Sequence, residues 1–404
     1  MSHNTSHAAA NWSPTYFLAS VGSGGLSVTF FMYLLFWVPH PGKSVPTFEN
    51  IAAAWGTGYL PQQIAIAVAM LGIAAFGLIN LRSLFWNFGQ LAKFKKTPSY
   101  AKLRSTNAES SLLAAPLAVA MSVNAAFIMG LVFVPGLWNV IELLFPLAMA
   151  TFVIIGLISL RMIGHFLGRV LSEGGIFDVT AHNSFAQLLP AFALAMTGVG
   201  LSAPAAMSTV PAVVGISLVL STLFGVMSAI YALLAAVTAF NSMLHYGTAK
   251  EAGPTLMIIV PLLTILGILA MRQTHGLHVV FDVHNDAAST MMMITRLLSV
   301  QILFGLLGLV VLRRQGYAAA FLRGNGKSAG SYALVCPGVA LSVMGQFWIN
   351  KGLVAAGMIV KFGTVYWALS AVAIAFQVAM VLLVLFLNKK HFSASAPSAA
   401  IAAE

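Results

Sequence analysis

The stretch Ser331-Tyr332-Ala333-Leu334-Val335-Cys336-Pro337-Gly338-Val339-Ala340-Leu341-Ser342-Val343-Met344-Gly345 decides how the chain is read. It carries the only cysteine, directly before a proline, inside an apolar run of helix length. The same setting recurs at Pro116, Pro190 and Pro261, each with a hydroxyl residue six positions earlier, as at Pro337: Ser110, Ser184, Thr255 and Ser331. The four prolines are 74, 71 and 76 residues apart. A fifth, degenerate copy starts at Thr15 and places Val21 where proline would stand, within Gly22-Ser23-Gly24-Gly25. Self-similarity at a fixed period marks a chain built from repeated supersecondary units.

Composition says where those units sit. Of 404 residues, 59% are hydrophobic and 7% charged, against the ~25% charged residues that keep a soluble surface in water. The chain reads as an all-α integral membrane protein whose main partner is the lipid bilayer, because only closed hydrogen bonding within each segment lets a backbone cross hydrocarbon. The net charge of +11 gives no nucleic-acid partner, since the basic residues fall in the links between apolar runs. One cysteine excludes an intrachain disulfide and a cysteine-based zinc site. Met1 to Pro14 has no basic residue and no short signal-type core, so the first span is expected to be retained.

Ten spans are predicted, at 15–38, 62–85, 110–133, 138–163, 184–203, 209–240, 254–272, 288–312, 331–349 and 362–388. Links after even spans hold Lys93, Lys95, Lys96, Lys102 and Arg104, then Arg169, then Lys250, then Arg313, Arg314, Arg323 and Lys327, then Lys389 and Lys390. Links after odd spans hold only Lys43, Arg272, Lys351 and Lys361. The positive-inside rule then puts both termini in the cytoplasm, with tails at 1–14 and 391–404 around a transmembrane domain of 15–390. The repeats become five parallel helical hairpins, 15–85, 110–163, 184–240, 254–312 and 331–388, around a pseudo-fivefold axis. The hydroxyl is expected to cap the first helix of each hairpin. The proline is expected to kink it about one and a half turns in. Kinked helices belong against protein or water, so the odd spans are expected inside and the even spans outside. Small residues such as Gly22, Gly25, Ala118, Ala193, Gly198, Gly267, Ala340 and Ser342 are then expected along a central path, the other reading of each being close helix packing.

Ten spans, parallel hairpins, cytoplasmic termini and repeated inner-helix prolines resemble the tellurite-resistance protein TehA and the plant slow-type anion channels, over about residues 14–390. Within that architecture the sequence resembles the TsoY family of (seleno)proteins. The resemblance implies a bacterial inner-membrane protein passing a small anion or neutral solute through a central pore, and it allows a homo-oligomer. It also implies a phenylalanine gate on an inner helix, for which Phe127 and Phe192 are the best-placed candidates, and it makes Cys336 the natural counterpart of a selenocysteine.

Other residues carry alternatives. Cys336 reads as the centre of a membrane-embedded redox or metal-handling protein, or as a small buried hydrophobe. His275, His278, Asp282 and His284 form a loose metal-ligand set: an extended 278–284 would put the last three on one face. The other reading is a solvated loop. Arg296 stands two turns inside span eight, where an intramembrane arginine suggests either an anion path or an interfacial side chain. No phosphate loop, Ser-His-Asp set or paired intramembrane carboxylate appears, and no cofactor is implied.

Overall fold

The computed structural model describes residues 12–174, 177–181, 183–284 and 286–392. Most of both expected tails lies outside these residues. Among the described residues, ten helices are long and apolar enough to cross a membrane. Their regular parts are α1 (Phe17–Trp37), α2 (Leu60–Phe94), α3 (Ala114–Phe133), α4 (Ile141–Glu173), α5 (Leu189–Leu201), α6 (Pro211–Tyr246), α7 (Ile259–Phe281), α8 (Ala287–Arg314), α9 (Val335–Phe347) and α10 (Thr364–Phe392). Each predicted span falls on one of them. Several run further than the apolar stretch. α2 has 35 residues, or roughly 52 Å against a hydrocarbon core of about 30 Å.

Odd and even helices differ in burial. In their most apolar windows the odd spans are 56–94% buried inside the protein and the even spans 17–39%. α1 packs on α3, α3 on α5, α5 on α7, α7 on α9, and α9 returns to α1. Each even helix lies against its own odd helix and the next one in this order. Buried side chains pin these contacts. Asn80 of α2 donates through Nδ2 to the Ser20 carbonyl of α1 at 2.8 Å. Gln301 of α8 donates to Val260 O and Thr264 Oγ1 of α7 at 2.8 and 2.7 Å. Ser228 of α6 donates to Ala191 O of α5 at 2.7 Å. In hydrocarbon such bonds are worth up to ~2 kcal/mol each, and they fix register.

The prolines do not kink helix interiors. Pro116, Pro261 and Pro337 are third residues of α3, α7 and α9, and Pro190 is the second residue of α5. Each follows a 3-10 segment: Asn107–Leu113, Phe185–Leu188, Lys250–Met257 and Ala329–Leu334, with Pro14–Tyr16 before α1. An N–H in the first α-turn has no acceptor in the helix, so proline there removes nothing and presets φ. The hydroxyls also depart from expectation. Ser184 caps its segment by accepting from Ala186 N, but Ser110 and Thr255 bond back to the carbonyls of Asn107 and Ala252, and Ser331 bonds the Tyr317 hydroxyl.

The five 3-10 segments touch one another in the same closed order as their helices. They seal the N-terminal end of the odd-helix bundle with large buried side chains, among them Phe185, Leu188, Leu113 and Tyr332.

Candidate functional site

Above that seal the odd helices enclose a cavity of about 830 Å³. No residue of the five 3-10 segments lines it. Each helix gives a stripe at helical spacing: Val21, Gly25, Val28 and Met32 on α1; Met121, Asn124 and Phe127 on α3; Phe192, Met196 and Val199 on α5; Pro261, Ile265, Ile268 and Arg272 on α7; Cys336, Val339, Val343 and Phe347 on α9. At the other end the wall passes into links and helix termini, with His40, Lys43, Ser289 and Lys351.

The wall is mostly bulky and apolar. Of the small residues expected along a central path, Gly22, Gly25 and Ala340 line it; Ala118, Ala193, Gly198, Gly267 and Ser342 pack between helices instead. A Cβ on Gly198 would meet Leu269 at 2.9 Å, and one on Gly267 would meet Leu297 at 2.7 Å. Even the lining glycines serve packing, since Gly22 and Gly25 are the seats of Val335 and Val339 of α9.

Charge is confined to the open end. Arg272, Lys43, Lys351, His40, His275 and His278 line the cavity there, and among the described lining residues there is no Asp or Glu. Arg272 Nη1 donates to the Val199 carbonyl at 2.7 Å, in the last turn of α5, where the helix dipole favours a cation. Lys351 stands on a π-helical extension of α9, Trp348–Val354. That turn is held by a chain of hydrogen bonds: Trp37 Nε1 to the Tyr366 hydroxyl at 2.8 Å, and Tyr366 to Asn350 Oδ1 at 3.0 Å. Lys43 donates to Thr47 Oγ1 at 3.1 Å, stands 5.4 Å from the centre of the Trp138 ring, and acts on the nearby Glu49. His40 donates through Nδ1 to the Val38 carbonyl at 2.7 Å. Burial pushes its pKa below the ordinary 6.5, the Val38 bond opposes this, and Lys351 and Lys361 lower it further. The basic side chains of the mouth are Arg272, Lys43 and Lys351, beside its three histidines.

The sequence candidates separate in space. Phe127, Phe192, Pro261 and Cys336 are in the wall, and Cys336 is a buried free thiol. Pro116, Pro190 and Pro337 are buried but do not line the cavity. Arg296 is exposed on α8 and does not line it. The expected extended face at 278–284 is absent. α7 stays helical to Phe281 because Leu277, Val279, Val280 and Phe281 continue its apolar run, and Asp282 ends it in the left-handed region at φ 53°. His275 and His278 thus share a helix face in the cavity wall, while Asp282 and His284 do not line the cavity. Among the described residues no group of three His, Cys, Asp or Glu side chains is placed to hold a metal ion.

Sequence reading missed the mouth, because Lys43, Arg272 and Lys351 entered it only as topology charges. A signal was present for Arg272, eleven residues after the wall residue Pro261, three turns further along the same face; Lys351, on a π-helical turn, had none. Glu109, the one fully buried carboxylate among the described residues, was missed as well. Compared with protein-family models and with curated proteins, the chain matches none of them.

Proposed function

We propose that this is a membrane channel or transporter-like protein that passes a small anion between its odd-numbered helices. The observation that carries the reading is the cavity wall: Arg272, Lys43, Lys351 and three histidines at one end, without a carboxylate among the described lining residues. Fixed cations on low-dielectric walls focus the field and concentrate anions. Five hairpins around a pseudo-fivefold axis account for the order of helix contacts and the alternation of burial. We take this arrangement as the TehA-like architecture of a TsoY-family protein. We take both termini as cytoplasmic in a bacterial inner membrane, a reading that the basic links support; the open mouth then faces outward and the 3-10 ring is the barrier that flux must open.

The test is nitrate and chloride flux into proteoliposomes. The parent protein is expected to pass anions above protein-free liposomes, and Arg272→Gln to pass them about tenfold more slowly. No flux above that background overturns the reading. A second reading, a redox protein centred on Cys336, is favoured by the position of this thiol in the cavity wall. A Cys336→Ser variant with parental flux removes it.

A further inference from the structure

The two ends of the cavity differ in chemistry, and this difference bears on what fills it. Resting on the anion reading, we propose that the cavity binds a medium-chain organic anion, its carboxylate or sulfonate head at Arg272 and Lys351 and its apolar chain running inward toward Cys336.

The cations lie only at the open end. Arg272 spends one N–H on the Val199 carbonyl, and a guanidinium has five N–H donors. Among the described residues every ion pair closes on Glu109, so no described carboxylate neutralises Arg272 or Lys351 at ion-pair distance. An acidic head fits there.

Deeper in, Val28, Phe192, Ile265, Ile268 and Val339 form the wall. Its two polar side chains are engaged. Asn124 donates to Ala120 O at 3.0 Å. Thr264 Oγ1 accepts from Gln301 at 2.7 Å and lies 3.3 Å from the carbonyls of Val260 and Ala340. A small inorganic anion moving inward sheds water and meets only the weak S–H donor of Cys336, so it crosses this stretch without resting there. An alkyl or aryl group would gain apolar contact instead.

Length agrees. From Pro261 to Arg272 along α7 is roughly 16 Å, about the reach of a ten- to twelve-carbon chain. A volume of about 830 Å³ lies in the range that encloses a small organic molecule. The 3-10 ring stops the chain at the far end.

The experiment uses the full protein in nanodiscs with 6-(dansylamino)hexanoate as probe, its short chain and ring together spanning about that length, and empty nanodiscs as background. Saturable, blue-shifted fluorescence is expected, displaced by decanoate. Butyrate, nitrate and decyltrimethylammonium at the same concentration are expected to leave the probe bound. Arg272→Gln/Lys351→Gln is expected to weaken probe binding by about tenfold or more. Should that variant fail to elute as a single species, Ile268→Trp keeps every charge and shortens the chamber. It is expected to shift preference from decanoate toward hexanoate. Discs with and without phosphatidylglycerol separate two sources of the same chemistry: displacement by the lipid points to the bilayer, and its absence to a free acid. Nitrate or decanol competing as well as decanoate overturns the proposal, as does unchanged binding in both variants. Nitrate flux without decanoate binding refutes this inference alone. Parental flux and binding in the double-Gln variant refute the anion reading itself.

Discussion

Glu109→Gln is expected to destabilise the protein by about 2–4 kcal/mol, and the reasoning starts from its surroundings. Glu109 is 5% exposed at the start of the 3-10 segment before α3. Its Oε1 accepts from Arg104 Nε at 3.1 Å, its Oε2 accepts from Arg169 of α4, and His165 Nδ1 lies 3.4 Å away. A pair at 3.1 Å has a gross attraction of roughly 5 kcal/mol at an effective dielectric of 20. The arginine side chains are 36% and 21% exposed, so water screens part of it and desolvation offsets more. Removing one partner of a buried pair costs about 3–5 kcal/mol, and the partial exposure lowers that to the value above. Glutamine keeps the shape but leaves two arginines and a histidine facing one another. The assay is thermal unfolding followed by elution in detergent, where a fall of roughly 4–8 °C is expected. Arg169→Gln should cost more than Arg104→Gln, because Arg169 is the less exposed partner. The Glu109→Gln/Arg169→Gln pair should cost less than the sum of its parts by ~1 kcal/mol or more. Because the carboxylate is buried, raising salt to 1 M should change these differences little. A Glu109→Gln protein melting within a degree of the parent, or strict additivity in the pair, refutes the reasoning.

Further outcomes concern the helix starts, the close contacts and the mouth. Pro190→Ala is expected to change stability by less than ~1 kcal/mol, since the proline sits in a first turn; loss of folded protein on gel filtration would contradict this. Gly72→Ala places a Cβ 2.3 Å from the Phe30 ring and should cost about 1–3 kcal/mol, with Phe30→Leu restoring part of the melting temperature in the double variant. The His40 pKa lies below its ordinary value because of burial and the two lysines. Its neutral form is therefore the folded one. Stability is full above the unfolded pKa and falls as pH is lowered through that value to the folded one. His40→Gln should flatten this part of a melting profile, and an unchanged slope would count against the assignment.

The spans were legible because hydrocarbon asks one simple thing of a sequence, a long apolar run, and the repeated prolines pointed to the buried helices. What the prolines do was not legible. The spacing of Ser184 and Pro190 suits a kinked helix and a 3-10 start equally well, and only the backbone separates them. The extended face at 278–284 did not form because Val279, Val280 and Phe281 prolong α7. Small residues were assigned to the path when most serve packing. In a bundle this tight, glycine and alanine let helices approach, and the wall is left to larger side chains. Glu109 was hidden because Arg169, its partner, is sixty residues away. The basic mouth was hidden because charges at span ends are usually counted for topology.

The mouth also has a consequence for the solution inside the protein. Arg272, Lys43 and Lys351 set three basic side chains around the mouth of a chamber of about 830 Å³, which with all three charged is a fixed-charge density on the order of several molar. On the proposed anion reading, such a mouth would behave as a Donnan phase. Mobile anions partition into it and small cations are expelled, whatever the bath contains, until bath salt becomes comparable to the fixed charge. Its ionic content is set by the wall, so ordinary changes in external salt reach the interior strongly damped.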